Sequence, residues 1–283
     1  MKRSTSRKAK LNTFVIRLFK KWAVVLGLLS GPALVLAQQS SQLDGGAEAA
    51  ESATCSYTYS SGSGETFTRY CLSVNGNIVQ FDSPQDFEFI KAGRYIGEGY
   101  GICDSAGPTA YFDYAAASSD NWQATVVTAP SATTRKFVRA TSDGIWELTQ
   151  TIKQIKATAT GPGSVKVTMA LKNLSVVSRD VFLLRYADID ANGTPDDDEF
   201  YFTRHSSIGS EPNHSPGLAL TSNTFAYSAF TLTQSVSPGP NPCQPGAKRN
   251  GGPFVGDGSI GQIYNITVPA GATKTVNLTY KPI

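Results

Sequence analysis

Six carboxylates are crowded into the twelve residues from Asp188 to Glu199, which read Asp-Ile-Asp-Ala-Asn-Gly-Thr-Pro-Asp-Asp-Asp-Glu. Charges this close repel one another unless a cation intervenes. Calcium is a hard cation that takes six to eight oxygen ligands. A short loop supplies them when oxygens recur at alternate positions around a glycine that permits a sharp bend. Asp188, Asp190 and Asn192 stand at positions one, three and five, and Gly193 at six. Thr194 offers its backbone carbonyl at seven, Asp196 stands at nine and Glu199 at twelve. The spacing predicts a Ca2+ ion held by Asp188, Asp190, Asn192, Thr194, Asp196 and Glu199, with a dissociation constant of about 10⁻⁴–10⁻³ M. Such a site clips a fold together; it does not signal. The competing reading is a solvated acidic loop, because Asn-Gly and Asp clusters are ordinary turn chemistry.

The order of ligands matches D-x-[DN]-x-[DN]-G-x5-E in full. It resembles the EF-hand loop and the calcium loops of dockerins and thrombospondin-type repeats. The flanks differ. Val181 to Ala187 before the loop and Phe200 to Thr203 after it are rich in β-formers and too short for helices. The resemblance therefore covers the loop alone, set between two strands.

The remaining chain must position that loop outside the cytosol. Residues 1–37 carry eight basic residues and no acidic one, then an apolar run from Trp22 to Leu36 broken by Gly31-Pro32, ending at Val-Leu-Ala37. This reads as a secretory leader cleaved near Ala37, too short and broken to span a bilayer. Of 25 basic and 22 acidic residues, 17 basic ones remain after cleavage, a formal net charge of −5. No basic patch with interleaved aromatics follows, so nucleic acid is excluded as a partner and no membrane span is expected in the mature chain. Gln38 to Thr54 is small and polar and reads as a linker. Residues 55–283 make a sandwich domain, or a smaller unit over 55–130 followed by a main sandwich over 131–283.

Four cysteines follow the leader, and an even count in an exported chain predicts two disulfides. Tyr57-Thr-Tyr59 and Phe67 to Tyr70 flank Ser-Gly-Ser-Gly. A turn centred on Ser63 sets Cys55 opposite Cys71, Tyr57 opposite Arg69 and Tyr59 opposite Phe67. Cys55–Cys71 is therefore expected, leaving Cys103–Cys243. A type I′ turn at Asn75-Gly76 sets Tyr70 against Phe81 and Leu72 against Val79. Gly93 to Cys103 reads as a glycine-rich strand. Trp122 to Val127 is a further strand candidate. Trp146, Leu148 and Ile152 share one strand face, and Val165, Val167, Met169 and Leu171 alternate with polar residues. Thr203 to Gly217 reads as a polar loop. Ser237 to Gly261 reads as a long loop tied down by Cys243. Gln262 to Val268 and Lys274 to Tyr280 read as a closing hairpin.

No sustained helical period appears. The fold class expected is all-β, a disulfide-bonded antiparallel sandwich with the acidic loop between two strands. Asp143-Gly-Ile-Trp-Glu-Leu-Thr-Gln150, Lys172-Asn-Leu-Ser175, Arg185-Tyr-Ala-Asp-Ile-Asp190 and Val268-Pro-Ala-Gly-Ala-Thr-Lys-Thr275 resemble uncharacterised families of exported bacterial sandwich proteins. More distantly, the pattern is similar to the sandwich halves of galactose-mutarotase-like proteins. The resemblance implies a fold and no activity.

Gly-x-Ser-x-Gly and His-Glu-x-x-His are both absent. His205, Glu211 and His214 have no specific metal spacing. Two function classes remain. One is a secreted or cell-surface noncatalytic module that binds a glycan or an extracellular protein, with Tyr111, Tyr114, Trp122 or Tyr201 stacking on sugars. The other is a carbohydrate-active enzyme using a carboxylate pair, for which Glu98 and Asp113 are the candidates. Protein exported with its leader is expected to begin at Gln38; an intact mass that retains residues 1–37 refutes the leader.

Overall fold

The computed structural model describes residues 54–91, 97–107, 109–115, 117–203, 205–224, 228–233, 239–244 and 253–283. The expected leader and linker up to residue 53 lie outside them, as do residues 93–96 of the Gly93–Cys103 stretch and residues 237–238 and 245–252 of the Ser237–Gly261 stretch. No helix among the described residues is long and apolar enough to cross a membrane.

In chain order the strands are β1 (Tyr57–Ser61), β2 (Thr68–Leu72), β3 (Ile78–Asp82), β4 (Glu88–Ile90), β5 (Glu98–Asp104), β6 (Thr109–Tyr114) and β7 (Ala117–Ser118). There follow β8 (Val126–Ser131), β9 (Thr134–Ala140), β10 (Trp146–Ile155), β11 (Ser164–Asn173), β12 (Arg179–Ile189) and β13 (Glu199–Phe202). The last are β14 (Ser206–Ser210), β15 (Gly217–Ser222), β16 (Ser228–Thr233), β17 (Phe254–Val255), β18 (Gly258–Val268) and β19 (Thr273–Pro282). They form three antiparallel sheets, ordered β1-β2-β3-β4, β16-β18-β12-β5-β6-β7 and β17-β13-β14-β15-β19-β11-β10-β9-β8. Strands from both sides of residue 130 share the six-stranded sheet, because β5 pairs with β12.

Alternation sets the inner faces. Trp146, Leu148 and Ile152 on β10, Val165, Val167, Met169 and Leu171 on β11, and Val276, Leu278 and Tyr280 on β19 are buried, as their period of two requires. The partner face comes from Ile102 on β5, Tyr111 on β6 and Val181, Leu183 and Ala187 on β12, in one continuous core. β12 is covered on both sides. Its other face joins Leu184 and Tyr186 to Tyr114 and Ile263, with Phe112 and Phe182 packed against them. A strand covered on both faces reads as a near-continuous apolar run, as Val181 to Ala187 does apart from Arg185. The Cys103–Cys243 disulfide (Cα–Cα 5.0 Å) brings residues 239–244 onto that outer face. There the Tyr114 hydroxyl donates to the Pro240 carbonyl at 2.6 Å, and a side chain on Gly101 would strike Tyr114 and Pro242.

Several local expectations need correction. Cys55 and Cys71 are bonded, with Cα atoms 5.5 Å apart, but the strands are not in the expected register. A 3-10 turn over Gly64–Thr66 lengthens the loop. Thr58 therefore lies opposite Cys71 and Tyr59 opposite Tyr70, with the tyrosine rings stacked at 5.1 Å. At the next hairpin Tyr70 meets Phe81, but Leu72 meets Ile78 in place of Val79. Only Gly76 of the Asn-Gly pair has positive φ (+84°), so the turn is not type I′. It is a tight turn from Ser73 to Gly76, and the register shifts between Cys71 and Leu72. Trp122 makes one bridge to Thr141, and the strand starts at Val126.

The final hairpin is not a hairpin. β18 pairs with β12 and β16, whereas β19 pairs with β11 and β15, so the Pro-Ala-Gly-Ala turn crosses between sheets. The polar stretch Thr203–Gly217 contains β14, buried from Ser207 to Ser210. Its small residues permit close approach: Ser207 Oγ donates to the Gly261 carbonyl at 3.0 Å, and a Cβ on Gly209 would lie 2.9 Å from the Phe200 ring.

A buried polar network joins the three sheets. Glu98 on β5 and Arg185 on β12 are fully buried and form an ion pair. Glu98 also accepts from the Tyr280 hydroxyl of β19 at 2.6 Å and from the Ile78 amide of β3 at 2.7 Å. Arg185 donates to Gln150 of β10 and to the Gly76 carbonyl at 3.2 Å. Burial pushes the Glu98 carboxyl up, against the opposing pull of Arg185, Tyr280 and Ile78. Burial also works against the Arg185 charge, but Glu98 and Tyr280 hold it above its ordinary value. Removing one partner strands the other charge in the core. Arg185→Ala is expected to cost about 3–5 kcal/mol in urea unfolding, and joint replacement of Arg185 and Glu98 by apolar residues less. A loss under about 1 kcal/mol for the single variant would show that the pair does not organise the core.

Candidate functional site

The acidic stretch is a crossover. β12 ends at Ile189 in the six-stranded sheet and β13 begins at Glu199 in the nine-stranded one. β4 braces the start of the crossover, the Asp190 amide donating to the Phe89 carbonyl at 3.0 Å. The chain then turns through Ala191–Gly193, with Asn192 and Gly193 in the left-handed region (φ 56° and 73°).

The six residues predicted to hold calcium are spread along this crossover. Asp188 is buried and accepts from Ser259 Oγ at 2.9 Å, and Asp190 is buried. Asn192 and Asp196 are exposed. The Thr194 hydroxyl donates to the Ala191 carbonyl at 3.2 Å. Glu199 Oε2 lies 2.7 Å from His214 Nδ1. Among the described residues no three His, Cys, Asp or Glu side chains are grouped so as to hold a metal ion.

Asp198 is the most deeply buried acid of the stretch, and its Oδ2 accepts from the Ala191 amide at 3.0 Å. Burial pushes its carboxyl up to about 8; the Ala191 bond opposes this, and repulsion from Asp190, Glu211 and Asp257 adds to it.

Beyond Asp198 a cavity of about 180 Å³ opens at the edge of the nine-stranded sheet. β13 pairs there with β17, Glu199 opposite Val255 and Phe200 opposite Phe254. The Phe200 and Phe254 rings stack at 4.8 Å. Pro253, Val255, Tyr201 and His214 complete the walls. Val255 is 63% exposed. His214 ends a short turn with φ 67° after Asn213 at φ 71°, a conformation uncommon for residues other than glycine. Its imidazole lies edge-on to Tyr201 at 5.1 Å, beside Glu199. The site thus offers aromatic and aliphatic walls and a carboxylate–imidazole pair.

The other candidates fall elsewhere. Tyr111, Tyr114 and Trp122 are buried and leave no free sugar-stacking face; Tyr201 alone of the four is only partly buried. Glu98 and Asp113 are core residues, not turn or edge acids. Asp113 is paired with Arg139 and accepts from Asn75 Nδ2 at 2.9 Å. His214 meets Glu199; its amide, not its ring, contacts Glu211, through the carbonyl at 3.1 Å. Phe254 and Val255 carry no sequence signal that could have placed them here. They sit in a glycine- and proline-rich stretch far from β13 in the chain.

The Asp198 shift has a sign that can be tested. Unfolded, the carboxyl titrates near its ordinary value of about 4; folded, it titrates at about 8. Its contribution to stability is complete below the unfolded value and is lost as pH rises through the folded one. Without divalent ions, Asp198→Asn is expected to flatten the fall of the unfolding midpoint across this range. An unchanged pH profile would refute the shift.

The chain superposes on a bacterial glucoamylase complexed with acarbose with a TM-score of 0.57 at 12% identity, over 81% of this chain and 32% of that one. It thus spans about a third of the glucoamylase's length. A galactose mutarotase-like protein from Lactobacillus casei aligns at a TM-score of 0.48 and 11% identity, over 80% of this chain and all of that one. A polysaccharide lyase aligns at 0.44 and 9%, over 79% of this chain and 33% of that one; scores this low carry no argument. No family model and no curated protein matches the sequence. At 12% identity, what this chain has in common with the glucoamylase is the sandwich fold.

Proposed function

We propose that this chain is an exported, noncatalytic sandwich module that binds a glycan in the cavity beside Tyr201. The observation that carries the reading is the cavity itself. It gathers Tyr201, Phe254 and Val255, suited to the apolar face of a sugar ring, around the carboxylate of Glu199 and the imidazole of His214. The leader and the two disulfides support export. The enzyme alternative draws no support from Glu98 and Asp113, both buried and bound to arginines. Fold similarity to a glucoamylase does not decide the activity.

A second reading concerns the acidic crossover. The alternate spacing of Asp188, Asp190 and Asn192 around Gly193, with Asp196 and Glu199 beyond, supports a calcium ion there. Calcium at the full twelve-residue pattern requires Glu199 to leave His214 and Asp196 to turn inward. At ten times its dissociation constant the ion is expected to stabilise the fold by about 1.4 kcal/mol, read as a higher thermal midpoint in calcium than in chelator. No difference removes calcium from the protein.

The glycan reading is tested on a glycan array, followed by titration of the best sugar. Tyr201→Ala is expected to weaken binding about tenfold, or about 1.4 kcal/mol, with the fold intact by circular dichroism. Hydrolysis of an array sugar would move the protein to the enzyme class.

A further inference from the structure

We infer that the cavity takes a single amino-sugar ring, its ammonium seated on Glu199. This rests on the glycan reading above and names the sugar. At about 180 Å³ the cavity is smaller than the roughly 300–1,000 Å³ of pockets that enclose drug-sized ligands, so one ring fills it.

The acidic group that faces this ring is an acceptor: a carboxylate such as Glu199 offers oxygens and no donor. His214 Nδ1 stands 2.7 Å from Glu199 Oε2, yet that oxygen makes no hydrogen bond among the described residues. No lysine or arginine among the described residues lines the cavity. A ligand here must bring donors and positive charge. An ammonium brings three donors and no acceptor, and it is attracted to the face of an aromatic ring such as Tyr201. The carbon face of the same sugar packs on Phe254 and Val255. A uronate or sulfated sugar meets repulsion, and N-acetylation removes both the charge and two of the donors.

The test is calorimetric titration of the mature chain with hexasaccharides of glucosamine, N-acetylglucosamine, glucose and galacturonic acid, at a pH where the amine is charged. The glucosamine oligomer is expected to bind tightest, by about tenfold or more over its N-acetylated form, and to weaken with added salt. Glu199→Gln is expected to abolish the preference while the chain stays folded by circular dichroism. His214→Ala, at a solvent-facing position, is a second variant expected to reduce it. Equal or tighter binding of the acetylated, neutral or acidic oligomer overturns this inference and leaves the glycan reading standing. A preference that survives both substitutions places the amine elsewhere and also overturns it. Failure of all four sugars to bind overturns both.

Discussion

One guanidinium and one carboxylate hold the three sheets together. Arg185 and Glu98 face each other across β12 and β5. They reach Gln150 and Tyr280 in the opposing sheet, and Gly76 and Ile78 in the small meander. A buried ion pair is not a cheap source of stability, because both charges must leave water. Its value here is placement: each remaining donor and acceptor finds its partner only when all three sheets are in register. The Asn75-Gly76 turn therefore points into the core. A Cβ on Gly76 would lie 3.0 Å from the Phe137 ring and 3.1 Å from Gln150. Beside it, Asn75 and Arg139 both bind Asp113.

The sandwich built on this centre has an unusual outer wall. The six-stranded sheet buries Leu184, Tyr186 and Tyr114 on the side away from the main core, and the Cys103–Cys243 disulfide pins a proline-rich segment over them. Closing a loop of 140 residues also restricts the unfolded chain strongly. Polar work is left to the sheet edges. At one edge the acidic crossover delivers Glu199 to β13, next to the short strand β17 and the turn that carries His214. The crossover and the cavity are thus consecutive in the chain.

Much of the fold was legible from residue order. The alternation of Trp146 to Ile152 and of Val165 to Leu171 has one cheap solution, a strand with one buried face. The run Val181 to Ala187, apolar except for Arg185, matches a strand buried on both. Where side chains are small or polar, the signal fails. β14, Ser-Ser-Ile-Gly-Ser, has almost nothing apolar to alternate, yet it is a buried strand because Phe200, Ile189 and Gly261 pack where larger side chains would stand. The cysteine pairing came out as expected although the register did not. A disulfide tolerates a diagonal approach, while cross-strand pairs shift with each residue added to the loop.

Residue types and spacing alone determined the class of this protein: short antiparallel strands, paired cysteines, and a crowd of carboxylates between two strands. Only the tertiary structure decided what those carboxylates face. Asp188 and Asp198 turned inward to Ser259 and the Ala191 amide, and Glu199 outward to His214. The physical reason is distance along the chain. Alternation and turn chemistry act over a few residues, so they are written locally. A histidine fifteen residues away and a phenylalanine fifty-five residues away meet Glu199 only because β17, β13 and β14 become neighbours at the edge of the nine-stranded sheet.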